Sequence, residues 1–332
     1  MAQDVDVDRV VTGTLLRSGD QVQATAQLVE APGGTLLTSL TVVASLGDLF
    51  KLQNDIARRV VEGLSPPLAG AATPTPDRPR DAEAYALYLR ANELARTYEG
   101  LPAARELYER CVELDSRFAP AWAQLGRCLH VIGKYIDAEG DSTGEAEDAL
   151  QRALELNPRL TVAHKLYAIL EADKGHAARA MTRLLHEASR HGNDPELFAG
   201  LVHACRYGGL FEQSMAAHHE ARRLDPNVPT SYPQTVLMTG DVDTILAHGT
   251  TGPDDVIRVI GFGFAGRRAE AREDLLRMRE PLRIPAFRAW RDFLLAWLDR
   301  DPEDMRRRRE NLRDLRIMED PEAMFQEGWL FC

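Results

Sequence analysis

Ala119-Pro120-Ala121-Trp122-Ala123-Gln124-Leu125-Gly126, with Ala146, Leu150 and Ala153 downstream and a close at Leu156-Asn157-Pro158, is the stretch that decides the fold. Its apolar positions recur at helical spacing in two consecutive runs, so it reads as two antiparallel helices joined by a turn. Gly126 and Ala146 are small because two helices that cross closely leave no room for a side chain, whereas Trp122 is large enough to fill the space between one helix pair and the next. Pro158 cannot donate the next helical hydrogen bond, and the second helix stops there. The same order of residue types returns on both sides at a period of ~34 residues. Upstream it begins at Tyr85 and places Ala104, Tyr108 and Cys111 on the second helix. Downstream one unit begins at Thr161, with Tyr167, Ala168, Ala180 and Leu184, and another at Pro195, with Phe198, Leu201, Ser214 and Ala221 before Asp225-Pro226.

This pattern resembles the tetratricopeptide repeat, a helix-turn-helix unit that stacks into an α-solenoid. The resemblance implies an extended concave surface lined by the first helix of each unit and open to solvent, suited to holding another polypeptide. Beyond Ser231 the register loosens while helical pairs persist: Pro253 to Phe264 with Arg267 to Arg279, then Pro285 to Leu298 with Pro302 to Leu315, and a further helix from Pro321. The chain finishes on the apolar run Gly328-Trp329-Leu330-Phe331-Cys332, which reads as a truncated array or as a terminus that docks on a partner.

Ahead of the repeats the periodicity changes. Residues from Val10 to Val43 alternate between β-branched and polar types, which predicts strands at Val10 to Arg17, Gln21 to Glu30 and Thr35 to Val43, separated by turns at Ser18-Gly19-Asp20 and Ala31 to Gly34. Val22, Ala24, Ala26 and Leu28 fall on one face of the second strand. A helix is predicted from about Asp48 to Leu64, and Pro66, Pro67, Pro74, Pro76 and Pro79 make 65–80 a linker. The expected organisation is an α+β unit of three antiparallel strands and one helix over 1–64, the linker, tetratricopeptide repeats over 81–228, and divergent helical repeats over 229–332; the fold class is mainly α.

Val11-Thr12-Gly13-Thr14-Leu15-Leu16-Arg17-Ser18-Gly19-Asp20, with Thr25 to Glu30 and Asp48-Leu49-Phe50-Lys51-Leu52-Gln53, resembles the second half of the TolB-like (FlgO-like) domain. That domain precedes tetratricopeptide repeats in bacterial serine/threonine protein kinases and adenylate cyclase-type regulators. The first half of the domain is missing here, and the aromatic residue usual after the Gly-Gly turn is replaced around Leu36 to Ser39. The resemblance implies a regulatory or scaffolding part of a signalling protein, not a catalytic one, and a C-terminal fragment of a kinase is an alternative origin.

The net charge of -11 opposes a surface built to neutralise phosphates and points away from nucleic acid. Cys111, Cys128, Cys205 and Cys332 lie apart within helical patterns, which suits small core residues in a reducing compartment. The first residues carry Asp4, Asp6 and Asp8 instead of a basic-then-apolar leader, and a cytoplasmic location is expected.

Several constellations compete with this reading. Gly261-Phe262-Gly263-Phe264-Ala265-Gly266 has the spacing of a dinucleotide-binding turn after a strand at Val256 to Ile260, which makes nucleotide binding the alternative function. The acidic residue such a fold needs on its second strand is absent near Arg283-Ile284-Pro285, so an inter-helix turn at Gly266 is favoured. Asp137, Glu139, Asp141, Glu145 and Asp148 are spaced much like a calcium loop, but Ser142 stands where glycine is wanted. His203 and Cys205 with His218 and His219 lack structural zinc spacing, and His186-Glu187 lacks the second histidine of a zinc protease. Arg306 to Arg309 reads as a solvated face paired with Glu303, Asp304 and Glu310. No catalytic residue, cofactor or metal is expected. The candidate site is the concave groove, where the register puts Arg127, His130, Lys165, His203, Arg206 and Tyr207 in solvent. Arg127, Lys165 and Arg206 would anchor carboxylates of an extended acidic peptide, and Tyr207 would offer a stacking surface.

Overall fold

The computed structural model describes residues 9–30, 34–45, 77, 79–136, 142–190, 193–247, 255–278, 284–313 and 315–331. The expected helix over Asp48 to Leu64, nearly all of the linker, and Asp137, Glu139 and Asp141 of the calcium-like insertion lie outside them.

Strands β1 (Arg9–Ser18), β2 (Gln21–Glu30) and β3 (Thr35–Ser45) form an antiparallel sheet in the order β1-β2-β3. Gly19, with φ of +63°, takes the first position of the two-residue turn between β1 and β2, where this class of hairpin requires glycine. Val22, Ala24, Ala26 and Leu28 are all buried, and Val42 opposite Ala24 joins them. Leu15 faces Ala24 from β1 yet stays exposed.

From Asp81 onward the chain is helical. Four antiparallel pairs come first: α1 (Ala82–Leu94) with α2 (Leu101–Leu114), α3 (Ala119–Tyr135) with α4 (Ser142–Leu156), α5 (Thr161–Asp173) with α6 (Ala177–Ala188), and α7 (Pro195–Tyr207) with α8 (Phe211–Leu224). Every small position that defines the period is buried. Ala104, Cys111, Ala146, Ala153, Ala168, Ala180, Ser214 and Ala221 have no exposed surface. A β-carbon at Gly126 would lie 2.6 Å from Leu150 Cγ and 3.0 Å from the Ala146 carbonyl oxygen, which explains the glycine at that crossing. The Leu-Asp/Asn turns that close the pairs share one device: the side chains of Asp115, Asn157 and Asp225 each accept a hydrogen bond from the backbone N–H two residues on, at 3.2, 2.9 and 2.8 Å.

The array continues as α9 (Tyr232–Thr239), α10 (Val242–Ala247), α11 (Asp255–Phe264), α12 (Arg268–Arg277), α13 (Pro285–Leu298) and α14 (Pro302–Arg313). A 3-10 turn (Arg316–Glu319) and α15 (Pro321–Phe331) end it. The α9–α10 pair has no counterpart in the sequence reading. The glycine-rich run corrects the dinucleotide alternative. Val256 to Ile260 is helix, Gly261 and Gly263 sit inside the same helix, and their lack of a β-carbon serves packing: one there would be 2.6 Å from Ile245 Cγ2 and 2.1 Å from Trp297 Cη2 respectively. Gly266, with φ of +76°, makes the turn into α12. No backbone cradle for a pyrophosphate results.

The hollow side is also not open as expected. Phe287 at the start of α13 packs on Tyr135 at the end of α3 (ring centres 5.4 Å apart) and on Tyr98 between α1 and α2 (5.0 Å), so the coil curls back on its own first turns. Two residues of the apolar terminal run, Trp329 and Leu330, pack within this chain. Leu330 is buried in the C-terminal core, and Trp329 stacks on Phe264 with centres 4.1 Å apart.

Candidate peptide-binding groove

The candidate residues divide into a convergent set and two that stand apart. His130 and Lys134 are one helical turn apart on α3, His203 and Tyr207 one turn apart on α7, and Arg206 precedes Tyr207. Between the two helices stands Asp173, the last residue of α5. Its Oδ2 accepts from His130 Nε2 at 2.9 Å and Lys134 Nζ at 3.0 Å, and its Oδ1 accepts from His203 Nε2 at 2.7 Å. Three successive pairs are thus tied by one carboxylate that is 8% exposed.

The chain's own C-terminal segment covers this cluster. Asp320 Oδ2 accepts from Lys134 Nζ and from the Tyr207 hydroxyl, both at 2.7 Å. Glu322 Oε2 accepts from Arg206 Nη2 at 2.9 Å. Arg206 also donates Nη1 to the Ser231 carbonyl at 2.9 Å and Nη2 to His203 Nδ1 at 3.2 Å, while its Nε finds no acceptor among the described residues. The His203 ring lies against that of Tyr207, with centres 4.4 Å apart.

Burial and charge act in opposition here. Burial alone raises a carboxyl, yet Lys134 and His203 hold Asp173 well below its usual range. Burial alone lowers an ammonium, yet Tyr135, Asp173, Tyr207 and Asp320 hold Lys134 well above its own. Burial wins at His203, whose value falls despite Asp173, with Arg206 and Lys134 adding to the fall. A neutral ring suits its bonds: Nε2–H donates to Asp173, and Nδ1 is free to accept from Arg206. Burial pushes the Tyr207 hydroxyl far up, so it remains a donor.

His130, His203, Arg206 and Tyr207 therefore converge, although half-buried or buried and engaged within the chain rather than solvent-facing; Arg206 is only 2% exposed. Arg127 and Lys165 do not join them. Arg127 Nη1 reaches the Ala95 carbonyl at 3.4 Å, and Lys165 pairs with Glu196. Lys134, Asp173, Asp320 and Glu322 were missed by sequence reasoning. The spacing of Lys134 after His130 was a usable signal; nothing local marked Asp320 as a neighbour of either. An open cavity of about 450 Å³ adjoins the cluster beside His130, Asp173 and Asp320. The other histidine and arginine clusters also make contacts within the chain. His218 lies against Tyr232, with ring centres 4.1 Å apart, and donates or accepts at Thr230. Arg307 and Arg308 pair with Asp304, as expected, but Arg309 crosses to Glu327 of α15.

No protein-family model matches the chain. A protein of Rhizobium meliloti (strain 1021) described as "Putative adenylate cyclase 3" is 26% identical over 161 residues, 47% of this chain. The aligned stretch spans 27% of that relative's length. Among solved structures, PilF of Pseudomonas aeruginosa aligns over 70% of this chain and 98% of its own at 14% identity and a TM-score of 0.42. YrrB, described as a TPR protein with an unusual peptide-binding site, aligns over 68% and 92% at 15% identity and 0.31. The Cut9–Hcn1 hetero-tetramer of APC/C aligns over 75% and 48% at 13% identity and 0.40. These are distant resemblances.

Proposed function

We propose that this chain is a non-catalytic protein-interaction scaffold whose concave groove binds an extended acidic peptide. The observation that carries the reading is the cluster itself: basic and hydroxyl donors from α3 and α7 converge on one side of the stacked helices and already grip two carboxylates, Asp320 and Glu322. Charge-assisted bonds at a partly desolvated site are the strong ones, and fixed spacing makes them selective. The anchors are Lys134, Arg206 and Tyr207, with His130 and His203 bound beside them to Asp173; Arg127 and Lys165 flank them.

The match to a protein described as a putative adenylate cyclase supports placing the module in a bacterial signalling protein. In this reading 1–64 is part of a TolB-like unit, 65–80 a linker, 81–228 tetratricopeptide repeats and 229–332 divergent helical repeats. Buried Cys111, Cys128 and Cys205, all unbridged, suit a reducing, cytoplasmic setting.

Titration calorimetry against a panel of acidic peptides tests the reading, with Tyr207→Phe as the probe because it removes one donor and keeps the ring. Binding should weaken as salt rises and fall several-fold in the variant. Equal affinity in both chains, or binding only of nucleotides, would contradict it.

A further inference from the structure

The segment over the groove is poised between belonging to the fold and resembling a ligand. Its inward stripe is short: Ala323, Glu327 and Leu330 are buried, while Met324 and Phe325 on the other side are exposed. Helix α15 lies against the 3-10 turn just before it, and side-chain contacts tie it to the rest of the array. Those contacts include Asp320 on Lys134 and Tyr207, Glu322 on Arg206, Glu327 on Arg309, and Trp329 on Phe264. Helix α15 itself starts under a side-chain cap, Asp320 Oδ1 accepting from the N–H groups of Glu322 (2.9 Å) and Ala323 (3.2 Å). One oxygen of Asp320 thus shapes the turn while the other is offered to the groove.

Resting on the peptide-groove reading above, we propose that residues 316–331 are a built-in pseudo-ligand. In this account the true partner is a protein segment that displaces them by presenting two carboxylates at the start of a helix, spaced as Asp320 and Glu322 are. The groove's donors fix that spacing, since Lys134 and Tyr207 meet the first carboxylate and Arg206 the second. A tethered occupant competes at an effective concentration of roughly millimolar, so the resting groove rejects weak acidic segments and yields only to one that binds tightly or arrives at high local concentration.

The test uses the full chain and a fluorescein-labelled peptide copying residues 315–331. Anisotropy should show weak binding to the native chain and at least tenfold tighter binding to the Asp320→Asn, Glu322→Gln chain, whose own segment has lost both anchors. A peptide carrying those two substitutions should bind neither. Arg309→Gln loosens the segment from outside the groove and should tighten binding several-fold; it decides the matter if circular dichroism shows the double variant misfolded. Equal affinity of the labelled peptide for native and variant chains would overturn the proposal. So would sedimentation showing that the double variant dimerises by exchanging its terminal helix. If the labelled peptide binds neither chain while other acidic peptides bind the native one, self-occupancy fails and the groove reading stands. If no acidic peptide binds any chain, both fail.

Discussion

At the scale of single residues, the balance around His203 has a consequence in pH. Its ring is buried between Asp173, which favours the proton, and Arg206 and Lys134, which oppose it, with His130 on the other oxygen of the same carboxylate. The folded value lies below the ordinary 6.5, so the unfolded chain binds the proton first as pH falls. Stability contributed by the neutral ring is therefore complete above 6.5 and is lost as pH falls through the folded value, when protonation also removes the acceptor that Arg206 uses. Asp173 acts at lower pH, since its contribution is lost only below the ordinary carboxylate range, and Lys134 acts above 10.5. Urea midpoints measured from pH 7.5 to 5 should decline in the native chain and decline less in His203→Gln. An identical slope in the two would show that the ring is not held neutral.

Elements show how packing follows from the repeat. The helices of a pair touch where their side chains are smallest, and Gly126 is such a point. Gly126→Ala should cost ~1–3 kcal/mol, since Leu150 or the Ala146 backbone must move to admit a methyl group. Gly328→Ala meets nothing within 4 Å and should not lower the urea midpoint, because alanine is the better helix former. These same constraints made α1 to α8 and the three strands readable in advance: period, turn residue and small position all pointed one way. Helices α9 and α10 were not readable, because two short segments of eight and six residues carry too few turns to show a period. The Gly261 to Gly266 spacing misled for a related reason. A glycine that makes room for Trp297 and one that would make room for a phosphate look alike in sequence, and only the neighbouring element tells them apart.

Across the whole molecule, contacts between residues far apart in sequence decide what the groove can do. Asp320 meets Lys134 and Tyr207, and Phe287 meets Tyr98 and Tyr135, because the later helices fold back against the first pairs. A repeat register gives the face on which a side chain sits; it does not give the accumulated curvature that brings the last helix back to the second pair. For this reason His130, His203, Arg206 and Tyr207 were legible as one face, whereas their carboxylate partners were not. Arg127 and Lys165 share that face but lie off the line of the cluster, each satisfied by a neighbour in the adjacent unit. The net charge of -11 opposes an acidic partner at long range, so such a partner depends on the local donors Lys134, Arg206 and Tyr207 that Asp320 and Glu322 hold in the resting chain. Amide hydrogen exchange of the full chain, with and without a saturating acidic peptide, tests this account most directly. Slowed exchange should appear in 127–135, 165–173 and 200–207 together with faster exchange in 321–331, whereas changes confined to the sheet at 9–45, or none at all, would contradict it.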